Sequence, residues 1–535
     1  MSVKSFISWR LVLLHFRACS RGVKVLNILV IVVKIRLRLL ISIFLMSVFV
    51  NSYAEPFIKT DDMWLRADIE TLANVGIIRS PITTWPLTWG PILKDLKNVK
   101  LNEVPERYRS VLLRVLREGR RSTGRDSFLT EFRMHAGQES QLFRYFGDKA
   151  RDKRELSTRT AGMTSNFAWN LEVTLAPDSV DGDDKRFDGS YISAIGGNWI
   201  FAVGQMEQWW GPGFQHSLIL SNNAKPVPAI YLKRNYAESF ETPLLNWIGP
   251  WTFNVFAGQL DDARTINNAK LLGMSVAFKP IDSLEIGLRR TAQWGGDGRP
   301  ENFDSFLDML TGLDNCDEGG NTCDDRATEP GNQLAGIDLT WRPHLSIPSS
   351  FYLQTVGEDE AGYAPSKKSW LYGVNFQLSV GGNPLSVNLE YTDTSVDGDG
   401  NIPGEEFSGY NVLYEHSLYR HGYRYRGRSI GSTIDNDSKM TSLLMTYQTN
   451  DWGQFSLLSS QVDLNVDGED VPLPGGHSIQ QTYADFNEFI FKWMYPVRSI
   501  GKVLFKLTKR SESLINNSFE HFEKDSFAIS WSIDF

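Results

Sequence analysis

The chain has 535 residues, 41% hydrophobic and 12% aromatic, with 55 basic against 63 acidic side chains and 44 glycines. The aromatic load is too high and the charged fraction of 22% too low for a disordered chain. Past residue 54 no stretch approaches the roughly 18 to 20 consecutive apolar residues of a spanning helix, so any membrane insertion must use another architecture.

Residues 1–54 carry eight basic side chains and no acidic one, and removing them leaves a net charge of -16. Lys34, Arg36 and Arg38 open a charged start, Leu39 to Val50 is an apolar run, and Ser52-Tyr53-Ala54 puts small residues where a signal peptidase needs them. The sequence therefore predicts an over-long leader cleaved after Ala54. A helix through Val25 to Val50 is the alternative, but it would place three cations near mid-bilayer at about 2.5 to 3.5 kcal/mol each.

Residues 55–125 read as a small helical domain. Asp61 or Asp62 caps a helix whose Leu65, Ile69 and Leu72 share one face, Gly76 stops it, and Pro105 opens another through Arg121. Placed ahead of the first strand, this domain is expected at the periplasmic end of whatever follows, where it could act as a plug.

From 126 to 535 the pattern changes to period two. Phe167, Trp169, Leu171, Val173 and Leu175 oppose Ala168, Asn170, Glu172 and Thr174, and similar runs recur around 251, 284, 372 and 385. A soluble sandwich alternates in the same way, so the connections decide. Short turns at Gly196-Gly197, Pro280 to Asp282, Gly381 to Asn383, Asn450 to Trp452 and Pro496 to Ile500 alternate with long polar loops near 177–188, 207–227, 295–332, 396–438, 464–482 and 509–524. Tight connections at one end and long ones at the other predict an all-β transmembrane barrel of about 18 antiparallel strands, with the long loops extracellular. The strand boundaries stay open around 138–165, where Arg151, Lys153, Arg154 and Arg159 interrupt the alternation. The last strand sets Phe527, Ile529, Trp531, Ile533 and Phe535 on one face, the signature that barrel-insertion machinery reads.

Cys316 and Cys323 sit in an acidic stretch from Asp314 to Asp325, and export to an oxidising compartment predicts one disulfide between them. No further Cys or His stands near enough for a zinc site. Asp397-Gly-Asp399-Gly-Asn401 starts like a calcium loop, but Ile402 occupies the turn-glycine position and Ser408 that of the bidentate acid, so a solvated acidic loop is expected. No His-Glu-x-x-His, Walker or Cys-x-x-Cys motif is present.

Several longer motifs carry a resemblance. They are Trp64-Leu-Arg-Ala-Asp-Ile-Glu-Thr-Leu-Ala-Asn-Val-Gly76, Thr84-Trp-Pro-Leu-Thr-Trp89, Gln208-Trp-Trp-Gly-Pro-Gly213, Ser217-Leu-Ile-Leu-Ser-Asn-Asn-Ala224 with Pro226-x-Pro228, and Gly422-Tyr-Arg-Tyr-Arg-Gly-Arg428. In this order they resemble the Wzi family of capsule assembly proteins over nearly all of the mature chain. The resemblance implies an outer-membrane barrel with a periplasmic helical bundle, a lectin that helps anchor capsular polysaccharide. Expected partners are that polysaccharide, outer-membrane lipid and the insertion machinery during biogenesis, with no nucleic acid, cofactor or metal and no enzymatic turnover.

A polysaccharide site needs aromatic faces for sugar rings and planar donors for hydroxyls or uronate carboxylates. Two segments offer them. Trp209 and Trp210 precede Gly-Pro-Gly on a loop, although an aromatic cluster packed in the lumen would read the same. Tyr414 to Arg428 interleaves tyrosines with arginines inside an acidic chain, which makes Arg420, Tyr423, Arg424, Tyr425, Arg426 and Arg428 candidate contacts. These arginines could instead neutralise inward carboxylates such as Glu172, Glu390 and Asp338. A solute-selective porin and an outer-membrane hydrolase with dispersed catalytic residues are the alternative functions.

Overall fold

The computed structural model describes residues 55–123, 129–311 and 331–535, apart from 359, 362, 363, 366, 398–408, 450, 498 and 519. The leader, the Cys316–Cys323 pair and most of the acidic loop after Asp397 lie outside the described residues.

Eighteen antiparallel strands close into a barrel. In chain order they are β1 Leu129–Gly137, β2 Arg154–Met163, β3 Phe167–Leu175, β4 Tyr191–Gly196, β5 Trp199–Gly204, β6 Ala229–Arg234, β7 Trp251–Gln259, β8 Lys270–Ile281 and β9 Leu284–Trp294. The second half comprises β10 Gly331–Trp341, β11 Ser349–Gly357, β12 Lys368–Val380, β13 Asn383–Asp397, β14 Lys439–Gln448, β15 Gln454–Leu464, β16 Ala484–Val497, β17 Gly501–Arg510 and β18 Asp525–Asp534. A two-residue piece, Lys185–Arg186, pairs with the far end of β3, and β18 pairs with β1 from Ala528↔Gly137 to Asp534↔Glu131. Closure leaves no strand edge unpaired, as backbone in hydrocarbon requires.

The two faces of the wall are inverted relative to a soluble protein. Phe167, Ile192, Phe201, Ile230, Leu389 and Phe489 point outward and are exposed, while Glu131, Arg159, Arg289, Asn375, Asn388 and Glu390 point inward and are buried. An apolar exterior over a polar interior is the arrangement a lipid-embedded barrel demands. Arg159 is one of the inward charges, which explains why the alternation seemed broken there; β2 is regular and its polar face is simply ionic.

Helices α1 Met63–Asn74, α2 Trp89–Lys97 and α3 Glu106–Thr123 lie at the short-turn end, within one compact unit running from Tyr53 to Phe535. Asp62 caps α1 by accepting from Trp64 N at 3.0 Å and Leu65 N at 2.9 Å, and Gly76 leaves the helix at φ 75°. The stripe of Ile69 and Leu72 packs on Trp89, Ile92, Val111 and Val115. Helix α2 was not evident from the helical spacing, because Trp89-Gly90-Pro91 opens it with two poor helix formers. Polar ties hold α1 to the wall: Trp64 Nε1 donates to the Phe455 carbonyl at 3.1 Å, Gln448 Nε2 to Asp68 at 2.9 Å, and Arg342 reaches Glu70 at 3.2 Å. One connection breaks the short-turn rule, since residues 235–250 join β6 to β7 at the same end as the tight turns.

Candidate functional site

Two long loops, 205–228 and 409–438, fold into the barrel from the opposite end. Trp209 and Trp210 form a short antiparallel pair with Thr84 and Trp85, so two of the sequence motifs meet inside the lumen. Both indoles are fully buried, with Trp209 Nε1 donating to the Gly213 carbonyl at 3.0 Å and its ring edge-on to Phe146 at 5.5 Å. The Gly-Pro-Gly stretch is a close approach: a Cβ on Gly213 would lie 2.2 Å from the His216 carbonyl. Beyond it, Glu390 accepts from Phe214 N at 2.7 Å, His216 N at 2.9 Å and the Tyr352 hydroxyl at 2.9 Å, which seats the loop on β13. Of the two alternatives for the tryptophans, packing inside the lumen is the arrangement found.

The second segment is divided. Tyr414 and Tyr423 are fully buried and stacked at 5.8 Å, and the Tyr423 hydroxyl donates to the Ile219 carbonyl at 2.9 Å. Arg424 is buried in a fork with Asp435 at 2.9 and 2.8 Å and also lies 2.6 Å from Glu415. Burial opposes ionisation of Asp435, yet the Arg424 guanidinium holds its carboxyl down to about 2. Nearby, burial pushes the Asp437 carboxyl up to about 7 and the His477 imidazole down to about 4. Gly422 permits the turn at φ 63°, where a Cβ would meet the Tyr414 carbonyl at 2.0 Å. Tyr423 and Arg424 therefore do not present themselves to solvent. The carboxylate that Arg424 neutralises comes from its own loop, not from Glu172, Glu390 or Asp338.

The remaining members reach an open cleft of about 890 Å³ at the long-loop end. Arg426 is exposed, with its backbone at φ 51° and its guanidinium 6.0 Å over the Tyr425 ring and 3.9 Å from Asp183. Arg428 is half-buried at the cleft wall, and its hydrogen-bond partners among the described residues are neutral: the Gln141 and Leu142 carbonyls and Asn223 Oδ1. Burial lowers its pKa to about 10, which still leaves it cationic at neutral pH. Arg420 is exposed but stands just outside, its guanidinium donating to the Leu473 carbonyl at 2.8 Å. The opposite wall is amide- and hydroxyl-rich, with Ser478, Gln481, Asn516 and Asn517, and the third side carries Asp181 and Lys225 paired at 2.5 Å.

Those last residues were not found from sequence. Isolated Asn, Gln and Ser on separate loops leave no spacing signal, and Lys225 is a lone lysine between Ala224 and Pro226. The cleft thus offers two cations without a tight carboxylate partner and several amides, beside the carboxylates of Asp181, Asp261 and Asp262. That inventory suits a hydroxyl-rich, anionic ligand.

Residues 124–503 match the family model described as capsule assembly protein Wzi. An uncharacterized 55.8 kDa protein in the cps region of Klebsiella pneumoniae is 32% identical over 359 residues, covering 65% of this chain and 68% of that protein. Among solved structures, Wzi of Escherichia coli, described as an outer-membrane protein involved in group 1 capsule assembly and a carbohydrate-binding β-barrel, superposes with a TM-score of 0.75 at 24% identity, covering 91% of this chain and 100% of that one. With a family match over most of its length laid on a closed 18-stranded outer-membrane barrel, the chain belongs to the Wzi family of capsule assembly proteins.

Proposed function

We propose that this protein is an outer-membrane lectin that binds acidic capsular polysaccharide and supports capsule assembly and surface attachment, without turnover. The loop-end cleft is the observation that carries the reading: Arg426 and Arg428 line it as cations together with the amides of Asn516, Asn517 and Gln481. A uronate or other sugar carboxylate accepts both members of a guanidinium fork, and the amides then read hydroxyls. The Escherichia coli relative's description as a carbohydrate-binding barrel supports the ligand class. In this reading the long loops are extracellular and the three helices periplasmic, in keeping with the general asymmetry of outer-membrane barrels. Outer-membrane lipid covers the apolar belt, and barrel-insertion machinery acts during biogenesis.

Binding of purified protein to acidic and neutral capsular polysaccharides tests the proposal. Acidic polymer should bind more tightly, with an affinity that falls as salt rises. Equal binding of neutral polymer, or none of either, overturns it.

A further inference from the structure

The lumen is packed unevenly. Segment 205–228 leans on β7, β11, β13 and β14 through Gln208 to Asn254, Leu218 to Gln354, Phe214 to Glu390 and Ser442 to Gln215. The wall of β1 to β3 faces charges instead. Three cavities lie in series along it. The loop-end cleft shares Arg151 and Arg186 with a small cavity of about 60 Å³. That waist shares Glu55, Lys59, Asp61, Arg133 and Lys149 with a third cavity of about 200 Å³, which reaches Glu118, Lys502 and Asp534 at the short-turn end.

Ion pairs of alternating sign run the whole way. Arg151 spans Asp188 at 3.3 Å and Glu207 at 3.1 Å, and Thr60 Oγ1 donates to Glu207 at 3.0 Å. Next, Lys59 lies 3.6 Å from Glu55 and 3.7 Å from Glu172, which Arg133 holds at 2.9 Å. Lys149 then bridges Asp61 at 3.4 Å and Glu131 at 3.3 Å, and Asp534 pairs with Arg121 at 2.6 Å near the exit. Part of this series meets water, Lys149 being 33% exposed, Asp61 25% and Glu207 20%, while the Lys59 ammonium at the waist is buried.

We propose that this side of the lumen is a hydrated passage that admits water and small inorganic ions and excludes sugars. The waist holds a few waters. A pocket for even a small organic ligand takes about 300 Å³ or more, so a glycan cannot follow. Because each cation lies between two acids, an entering ion replaces one partner at a time, and neither sign meets an unbroken wall of like charge. The fold thereby combines an anchor for polymer at one mouth with a leak too narrow for its monomers.

Single-channel recording of the purified full-length protein in planar bilayers in potassium chloride tests this. The expected result is a small, steady conductance to both ions. Lys59→Ala should raise it by about two-fold or more by widening the waist, and Glu172→Gln should shift the reversal potential towards anion passage. Retention of heat-modifiable gel mobility shows that each variant keeps its barrel. As a second handle, Lys59→Cys should lose current on reaction with a methanethiosulfonate reagent. Silent membranes for both the natural protein and Lys59→Ala, or currents indifferent to every change at Lys59 and Glu172, overturn the passage. Arg426 and Arg428 do not line the waist, so either outcome leaves the polysaccharide reading to its own test.

Discussion

The two aromatic loops that enter the barrel look alike in sequence but do different work. The loop holding Trp209 and Trp210 buries both of its candidate residues and ends as structure, whereas the loop from Tyr414 to Arg428 buries Tyr414, Tyr419, Tyr423 and Arg424 and offers Arg426 and Arg428 to the cleft. Local charge compensation separates them. Arg424 lies against Asp435 and Glu415 and is drawn inward, while Arg428 meets only carbonyls and an amide among the described residues. An arginine paired by its own loop is a fastener. One left with neutral partners keeps its charge available.

Substitutions should divide along the same line. Removing Arg424 gives the largest expected effect: Arg424→Ala strands two buried carboxylates and should destabilise the loop by about 3 to 5 kcal/mol, seen as a lower temperature for loss of heat-modifiable mobility. Trp209→Ala follows at about 3 to 5 kcal/mol from the cavity it leaves, read in the same assay, with binding affected only through the fold. If either variant kept full stability and lost only polysaccharide binding, the division between the loops would be wrong. Arg426→Ala and Arg428→Ala should leave the melting profile nearly unchanged and weaken acidic-polymer binding by about 1.5 to 3 kcal/mol per charge-assisted contact, with a shallower salt dependence.

The smallest effect concerns pH. Asp437, raised to about 7 from 3.8, contributes stability that is full below its unfolded pKa and lost as pH rises through the folded one. His477, lowered to about 4 from 6.5, contributes stability that is full above its unfolded pKa and lost as pH falls through the folded one. Between about pH 4 and 6.5 their slopes of about 1.4 kcal/mol per pH unit oppose and nearly cancel. Asp437→Asn should therefore uncover a loss of loop protection on acidification in hydrogen exchange over residues 409–438. A natural protein already as steep as the variant would refute the pairing.

Much of the architecture was legible in one dimension. Period two across Phe167 to Leu175 and across the last ten residues, with alternating short and long connections, specified a barrel, because a pleated strand must send successive side chains to opposite faces. Asp62 and Gly76 bounded α1 for equally local reasons. Residues 138–165 resisted the same reading because inward-facing Arg159 resembles a break until the lumen is known to be ionic. The 235–250 connection had no signal to mark it as an exception.

The sequence by itself determined the class of fold and the family, since each rests on spacing or on motifs within a few residues of one another. Which arginine faces the cleft and which fastens the loop was decided only by tertiary structure. Asp435 is eleven residues from Arg424 in sequence and Asn223 more than two hundred from Arg428, and burial and pairing depend on distances in space that the barrel and its inserted loops alone impose.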